Sequence, residues 1–157
     1  MLSETRDLLV IGLAEYVDFP AWNIRRLRAK VDTGARTSAL HVENIRDLGD
    51  GRVRFDVRLH RRRSERRVTI EAPVLRHARV RTSSGVSETR IFVSTSVKIG
   101  PVAREIELSL VDRGNMIFRM LIGRSALAHR FLVDVSKRFA LNPRKRLRAR
   151  PRRAQAR

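Results

Sequence analysis

Apolar and polar residues alternate along much of the chain, most clearly over residues 52–60, RVRFDVRLH. Val53, Phe55, Val57 and Leu59 occupy every second position, and charged or polar residues fill the positions between them. This period of two predicts a β-strand with one buried and one solvent-exposed face. Shorter runs of the same kind predict further strands over residues 68–71, 74–81, 90–99, 105–111 and 116–122.

Turn signals separate these runs, among them Asp50-Gly51 and Gly100-Pro101. Two strand-like arms flank Thr82-Ser83-Ser84-Gly85, which predicts a β-hairpin with a small tip. A short helix is expected over residues 124–129 alone. Many short strands separated by turns are typical of an all-β fold, either a closed barrel or a sandwich.

Charge divides the 157 residues into two parts. The whole chain has 35 Lys and Arg against 16 Asp and Glu, a formal net charge of +19. Eight of those cations lie in residues 143–157, which contain no acid, so we expect one folded domain over 1–142 and a disordered basic tail. The tail is either a solubilising extension or an electrostatic contact to RNA, the ribosome or an acidic protein.

Composition also excludes several kinds of chemistry. The absence of cysteine rules out disulfides, thiolate metal sites and cysteine nucleophiles, and it suits a reducing compartment. No run reaches the roughly 20 apolar residues of a membrane span, and the N-terminal apolar stretch has no basic leader, so a cytoplasmic protein without membrane contact is expected. The four histidines are scattered and no Gly-rich phosphate loop is present, so neither a metal nor another cofactor is expected.

One carboxylate stands out, Asp32 in KVDTGARTSAL at residues 30–40. A strand ending at Val31, followed by a turn at Gly34, would project Asp32 from the end of the sheet, with the Thr33 hydroxyl available to hold the loop. Two such loops face to face would hold two carboxylates around one water, one ionised to activate it and one protonated to donate to a scissile carbonyl. The alternative is that Asp32 only shapes an Asx-turn.

Three motifs together resemble a known family. Residues 30–41 are similar to the active-site segment of the prokaryotic retropepsin-like aspartic proteases that carry the label "putative ATP-dependent zinc protease". Residues 80–85 with 88–90 resemble that family's flap hairpin, and residues 107–113 with 120–124 resemble the segment that braces the active-site loop. Residues 131–134 fit the family's last strand, so the resemblance spans residues 8–141 and leaves out the basic tail.

The resemblance implies a single-lobed, closed retropepsin-like β-barrel with one Asp-Thr-Gly loop, which becomes complete only in a homodimer. Asp32 would be the catalytic carboxylate in each copy, Thr33 would bond across the twofold axis, and Gly34 would shape the loop. The implied substrate contacts are Ala35, Arg36, Arg81, Ser83, Ser84, Gly85 and Arg90. The family's association with a ligase that adds glutamates to a ribosomal protein implies an acidic or glutamylated protein or peptide substrate.

A second hypothesis is a non-catalytic binding module. In this case the barrel and its arginines would hold RNA, the ribosome or an acidic protein, and Asp32 would be structural. RNA binding would weaken steeply with salt, whereas a protease would lose activity on Asp32→Asn and keep its fold.

Overall fold

The computed structural model describes residues 7–60, 62–63, 65–112 and 117–142. The described strands are β1 (Leu9–Ile11), β2 (Ala14–Phe19), β3 (Ile24–Val31), β4 (Ser38–Asp47), β5 (Arg52–Arg58), β6 (Arg67–Pro73), β7 (Arg76–Arg81), β8 (Ser87–Ile99), β9 (Val102–Val111), β10 (Met120–Ile122) and β11 (Phe131–Val133). A 3-10 turn covers Pro20–Trp22, and the helix α1 covers Arg124–Leu127. Neither described helix has the length or apolar character needed to cross a bilayer.

Six strands close into a barrel in the order β10, β3, β2, β8, β9 and β4. Closure depends on β10, which runs parallel to β3 on one side and antiparallel to β4 on the other. The strands β5 and β6 extend the sheet from the second half of β4, and β7 pairs with β8 to form the hairpin. β1 and β11 form a separate parallel pair. The all-β, closed-barrel expectation is therefore confirmed.

The core follows the alternation seen in the sequence. Val53, Phe55 and Val57 of β5 are fully buried, while Arg54 between them is exposed and bonds to Glu71 of β6. Aromatic residues are few, yet three of them meet, because Trp22 stacks on Phe19 and approaches Phe55 edge-on. The closed barrel is thus filled mainly by aliphatic side chains from every strand around it.

Most of the predicted strands are present, with corrections at their ends. The run over 116–122 forms a strand only at Met120–Ile122, and the helix expected over 124–129 ends at Leu127. Sequence patterning did not predict β4, whose alternation is interrupted by a register shift where Asn44 has φ 52°. The basic segment 143–157 lies outside the described residues, so its disorder stays a prediction.

Glu15 is a fully buried carboxylate. It accepts hydrogen bonds from the backbone N–H groups of Gly12 at 2.9 Å, Ala140 at 2.8 Å and Leu141 at 3.4 Å. A buried carboxylate is tolerable because these donors replace its hydration. Glu15 therefore ties the segment after β11 to the start of β2.

Replacement of Glu15 by glutamine is expected to lower the free energy of unfolding by about 2 kcal/mol. The amide keeps the shape but turns one acceptor into a donor that faces backbone N–H groups. Urea unfolding measures the change. Glu105→Gln, on the exposed face of β9, is the control and should change stability by less than about 0.5 kcal/mol. Equal effects of the two substitutions would contradict the anchoring role.

Candidate active site

Asp32 follows directly after β3 and begins a tight loop. Its backbone N–H donates to the Ile122 carbonyl at 2.9 Å, which extends the pairing of β3 with β10 by one residue. Its side-chain Oδ1 accepts the Gly34 N–H at 3.0 Å, and its carbonyl accepts the Ala35 N–H at 3.2 Å. The Asx-turn is therefore real. It orients the carboxylate, which remains partly exposed, and so it is compatible with a chemical role.

The segment 123–125 braces this loop from behind. Gly123 donates its N–H to Ser38 Oγ at 3.0 Å, and the Arg124 and Ser125 N–H groups donate to the carbonyls of Ala35 at 2.8 Å and Arg36 at 3.0 Å. The Arg124 guanidinium also donates to the carbonyls of Thr33 and Gly34, each at 3.1 Å. The loop is thereby held by main-chain bonds and by the Arg124 guanidinium, all from residues 122–125.

A cavity of about 600 Å³ lies between the Asp32 loop and the β7–β8 hairpin. Its walls include seven of the residues expected at the site: Asp32, Gly34, Ala35, Arg36, Arg81, Ser83 and Arg90. The expected residues Thr33, Ser84 and Gly85 do not line it. Thr33 is exposed on the outside of the loop, while Ser84 and Gly85 belong to the hairpin tip.

The tip of the hairpin is a closed turn, as its sequence predicted. The Gly85 N–H donates to the Thr82 carbonyl at 2.9 Å, and Gly85 has φ +83°, a conformation that favours glycine. The hydroxyls of Thr82 and Ser84 are 2.8 Å apart. Ser84 and Gly85 therefore shape the hairpin that carries Ser83 to the cavity.

A further wall of the cavity, built from β8, β9, β4 and β10, was missed by sequence analysis. Residues that are paired on neighbouring strands lie side by side, so their side chains form two rows across this wall. The first row is Phe92, Ser109, Ala39 and Leu121, from β8, β9, β4 and β10. The second contains Val111, which pairs with His41, and Arg119, whose carbonyl accepts the His41 N–H at 2.8 Å. All seven line the cavity.

A signal for this wall was present in the sequence. Residues 39 and 41, like 109 and 111, share a strand face because side chains alternate along a strand. The strand pairing then shows that His41, Ser109 and Arg119 are polar residues at buried positions. Buried polar groups within an apolar pattern indicate a site more often than an exposed charge does.

Positive charge dominates the cavity. Arg36, Arg81, Arg90 and Arg119 line it, whereas Asp32 is the one carboxylate among its described lining residues. Arg90 is partly offset by an ion pair with Glu88 at 2.6 Å. Burial, assisted by the neighbouring Arg119 guanidinium, lowers the pKa of His41 below its ordinary 6.5, despite opposing effects of Asp112 and Glu43. His41 is therefore neutral at pH 7.

This shift predicts a loss of stability in mild acid. Because the pKa of His41 is lowered in the folded state, the unfolded chain takes up the proton more readily once the pH falls below about 6.5. The free energy of unfolding should therefore decrease as the pH falls from about 6.5 to the folded-state pKa of His41. Above pH 6.5, His41 should not affect it. Urea unfolding across this range should show a flatter profile for His41→Gln.

Two carboxyl groups, Asp56 and Asp134, also have shifted pKa values, but they affect stability in a different pH range from His41. Hydrogen bonds from Thr69 and Asn44 lower the pKa of Asp56 from 3.8, and those from Ser136 lower the pKa of Asp134 from the same value. Their contributions are lost only as the pH falls below about 3.8 and should persist in His41→Gln. An unchanged slope near pH 6 in that variant would contradict the assignment to His41.

A resident zinc ion does not fit this site. Zinc sites in proteins need three or four ligands from histidine, cysteine or carboxylate side chains. Across residues 7–60, 62–63, 65–112 and 117–142, no group of three such side chains converges. The cavity contributes only His41 and Asp32 of these types. Among these described residues, the zinc of the family label therefore has no donor set.

Comparisons with known proteins agree with this geometry. Residues 10–144 match the family model described as "RimB-like: Retropepsin-like aspartic endopeptidase RimB". Relatives named "Probable alpha-L-glutamate ligase" come from Shewanella pealeana, 37% identical over 137 residues, and Desulfotalea psychrophila, 38% identical over 137 residues. Each match covers 84% of this chain but only 30% and 29% of the relative, so this chain spans less than a third of their length.

A solved structure supports the fold alone. The crystal structure of the Legionella pneumophila protein Lpg0085, described as of unknown function, superimposes with a TM-score of 0.69. It is 24% identical in sequence, and the match covers 86% of this chain and 99% of that chain.

Proposed function

Because the chain belongs to the RimB-like family of retropepsin-like aspartic endopeptidases, we propose that it hydrolyses peptide bonds of a protein or peptide substrate. The observation that carries this proposal is the placement of Asp32. Its carboxylate lies on the wall of the 600 Å³ cavity, oriented by the Gly34 N–H and covered by the β7–β8 hairpin. A cavity of this size accommodates the residues on either side of a scissile bond.

The chemistry requires two carboxylates, and the chain has a single Asp-Thr-Gly sequence. The second carboxylate is therefore proposed to come from Asp32 of a second copy, with the two loops meeting on a twofold axis. The exposed position of Thr33, outside the cavity, suits the proposed bond across that axis. We propose a homodimer as the active form for this reason.

In the proposed reaction the two Asp32 carboxyls share one proton and hold one water. The ionised carboxylate accepts a proton from the water as its oxygen attacks the carbonyl carbon, and the protonated carboxyl donates its proton to the carbonyl oxygen. The resulting tetrahedral diol collapses. The ionised carboxylate takes a proton from one hydroxyl, the C–N bond breaks, and the leaving amine takes its proton from the protonated carboxyl. The pair then again holds a single proton.

An acidic substrate is proposed from the charge of the cavity walls. Arg36 and Arg81 are exposed cations beside Asp32 and on the hairpin, and Ser83 can bond to a substrate backbone beneath the hairpin tip. The longer relatives are named as glutamate ligases, which supports a substrate rich in glutamate or modified with it. The cysteine-free composition supports a cytoplasmic setting, and the basic segment 143–157 is proposed to contact an acidic protein or RNA.

A peptide library tests the proposal. The wild-type protein should cleave a defined set of bonds, identified by mass spectrometry, and cleavage in the presence of hydroxylamine should yield no hydroxamate, because water attacks directly and no acyl-enzyme forms. Hydroxamate formation would show a covalent mechanism. No cleavage, combined with RNA binding that weakens steeply with salt, would support the non-catalytic binding module instead.

A further inference from the structure

We propose that Arg119, with His41 beside it, is the specificity-determining element of the cavity and binds the carboxylate of an acidic substrate side chain. The proposal rests on the endopeptidase function and adds to it the residues that select the substrate. Neither residue was among the site residues expected from the sequence.

The shape of the cavity wall supports this assignment. The row of Phe92, Ser109, Ala39 and Leu121 forms its floor, and the small side chains of Ala39 and Ser109 leave space between the larger two. Leu121 and Arg119 are two residues apart in the chain, as are Ala39 and His41, so Arg119 and His41 form the next row of the same wall. A side chain lying along this floor passes over apolar surface and ends at a cation.

Burial makes the charge of Arg119 selective. Arg119 is only 3% exposed, and its guanidinium remains protonated at any accessible pH. Its five donors allow bonds within the fold and bonds to a ligand at the same time. A carboxylate that reaches the small part of Arg119 at the cavity wall would bind the cation with little competing water, and a neutral amide of the same size would gain much less there.

His41 extends this binding surface without adding a fixed charge. Its N–H donates to the Arg119 carbonyl at 2.8 Å, so the two residues are locked in register on β4 and at the start of β10. His41 is only 2% exposed and lies on the same cavity wall. This backbone bond fixes the position of Arg119 beside His41 at the cavity wall.

Paired peptides test the inference. A wild-type cleavage site is synthesised in versions that carry glutamate or glutamine at each position around the scissile bond. At one position wild type should prefer glutamate in kcat/KM by about 10- to 100-fold, as expected for a charged hydrogen-bonding partner. Arg119→Met, which keeps the buried stem, should reduce that preference to near one. Arg119→Lys should retain part of it.

The control is Arg79→Met, which removes an exposed arginine on β7 outside the cavity. It should leave the glutamate preference unchanged. Equal loss in Arg79→Met and Arg119→Met would show that net charge, not the buried site, attracts the substrate, and would overturn the proposal. Wild type that cleaves both peptides equally would also overturn it while leaving the endopeptidase function intact. A peptide library in which wild type cleaves no bond would overturn both.

A second measurement does not depend on the folding of an Arg119 variant. The Asp32→Asn protein, labelled with ¹⁵N-arginine, is titrated with the glutamate and glutamine peptides. The Nε–H signal of Arg119 should move with the glutamate peptide and remain unchanged with the glutamine peptide. Movement of other arginine signals while that of Arg119 stays fixed would contradict the assignment.

Discussion

Substitution of asparagine for Asp32 is expected to reduce kcat/KM for peptide cleavage by on the order of 10²- to 10⁴-fold. Asparagine can neither accept the proton of the attacking water nor donate one to the carbonyl oxygen. The fold should be retained, because the amide oxygen of asparagine can still accept the Gly34 N–H that Asp32 Oδ1 accepts at 3.0 Å. Steady-state kinetics on a library-derived peptide, with thermal unfolding of both proteins, measures the two effects separately.

Asp112→Asn is the matched control for this result. Asp112 is an exposed carboxylate directly after β9, at the end of the strand that carries Ser109 and Val111, and it does not line the cavity. Its substitution should leave kcat/KM within about twofold of wild type, as expected for a surface residue that does not touch the substrate. Comparable losses in the two variants, or persistence of activity in Asp32→Asn, would be incompatible with Asp32 as the reacting carboxylate.

Gly123→Ala is expected to be the most disruptive single-methyl change near the site. A Cβ at Gly123 would lie 2.5 Å from both the carbonyl carbon and the oxygen of Thr37, and 3.0 Å from the Arg36 carbonyl carbon. These are main-chain atoms of the segment that leads from the Asp32 loop into β4, so they cannot rotate away. We expect a loss of about 3 kcal/mol or more in the free energy of unfolding, together with loss of cleavage.

Activity is lost in this variant because of the same contacts. Displacing Gly123 from Thr37 breaks the Gly123 N–H bond to Ser38 Oγ and shifts the Arg124 and Ser125 donors away from the catalytic loop. Gly49→Ala is the control, because Gly49 has φ +80° but nothing within 4 Å of its added Cβ. It should cost about 1 kcal/mol through backbone strain alone and leave kcat unchanged. Similar destabilisation of both variants would argue against the brace.

The sequence predicts the barrel strands well where the alternation is regular. In β5 the apolar positions 53, 55 and 57 are all fully buried, because one face of this strand packs on the core and the other meets solvent. The prediction is poorer where tertiary pairing replaces local pattern. The short strand β10 has only three residues, Met120–Ile122, and exists because it lies between β3 and β4. No local periodicity could define its ends.

Part of the candidate site could be predicted from the sequence and part could not. The Asp32 loop and the hairpin are contiguous motifs, and seven of the residues expected from them line the cavity. The further wall is assembled from four strands that are distant in sequence, and its rows depend on register. Arg119 precedes β10 and contacts the site only because β10 closes the barrel beside β4. The position of Arg119 at the site is therefore evident only from the three-dimensional pairing. The same holds for Arg124, which supports the loop from outside the cavity.

The most direct test of the central claim uses a dimer with one altered copy. Wild-type and Asp32→Asn chains carrying different affinity tags are co-expressed, and the mixed dimer is isolated by two successive purifications. If one Asp32 from each copy forms the catalytic pair, this dimer should be folded and as inactive as the doubly substituted dimer. A mixed dimer with half of wild-type activity, or an active wild-type chain that sediments as a monomer, would contradict a catalytic site shared between two copies.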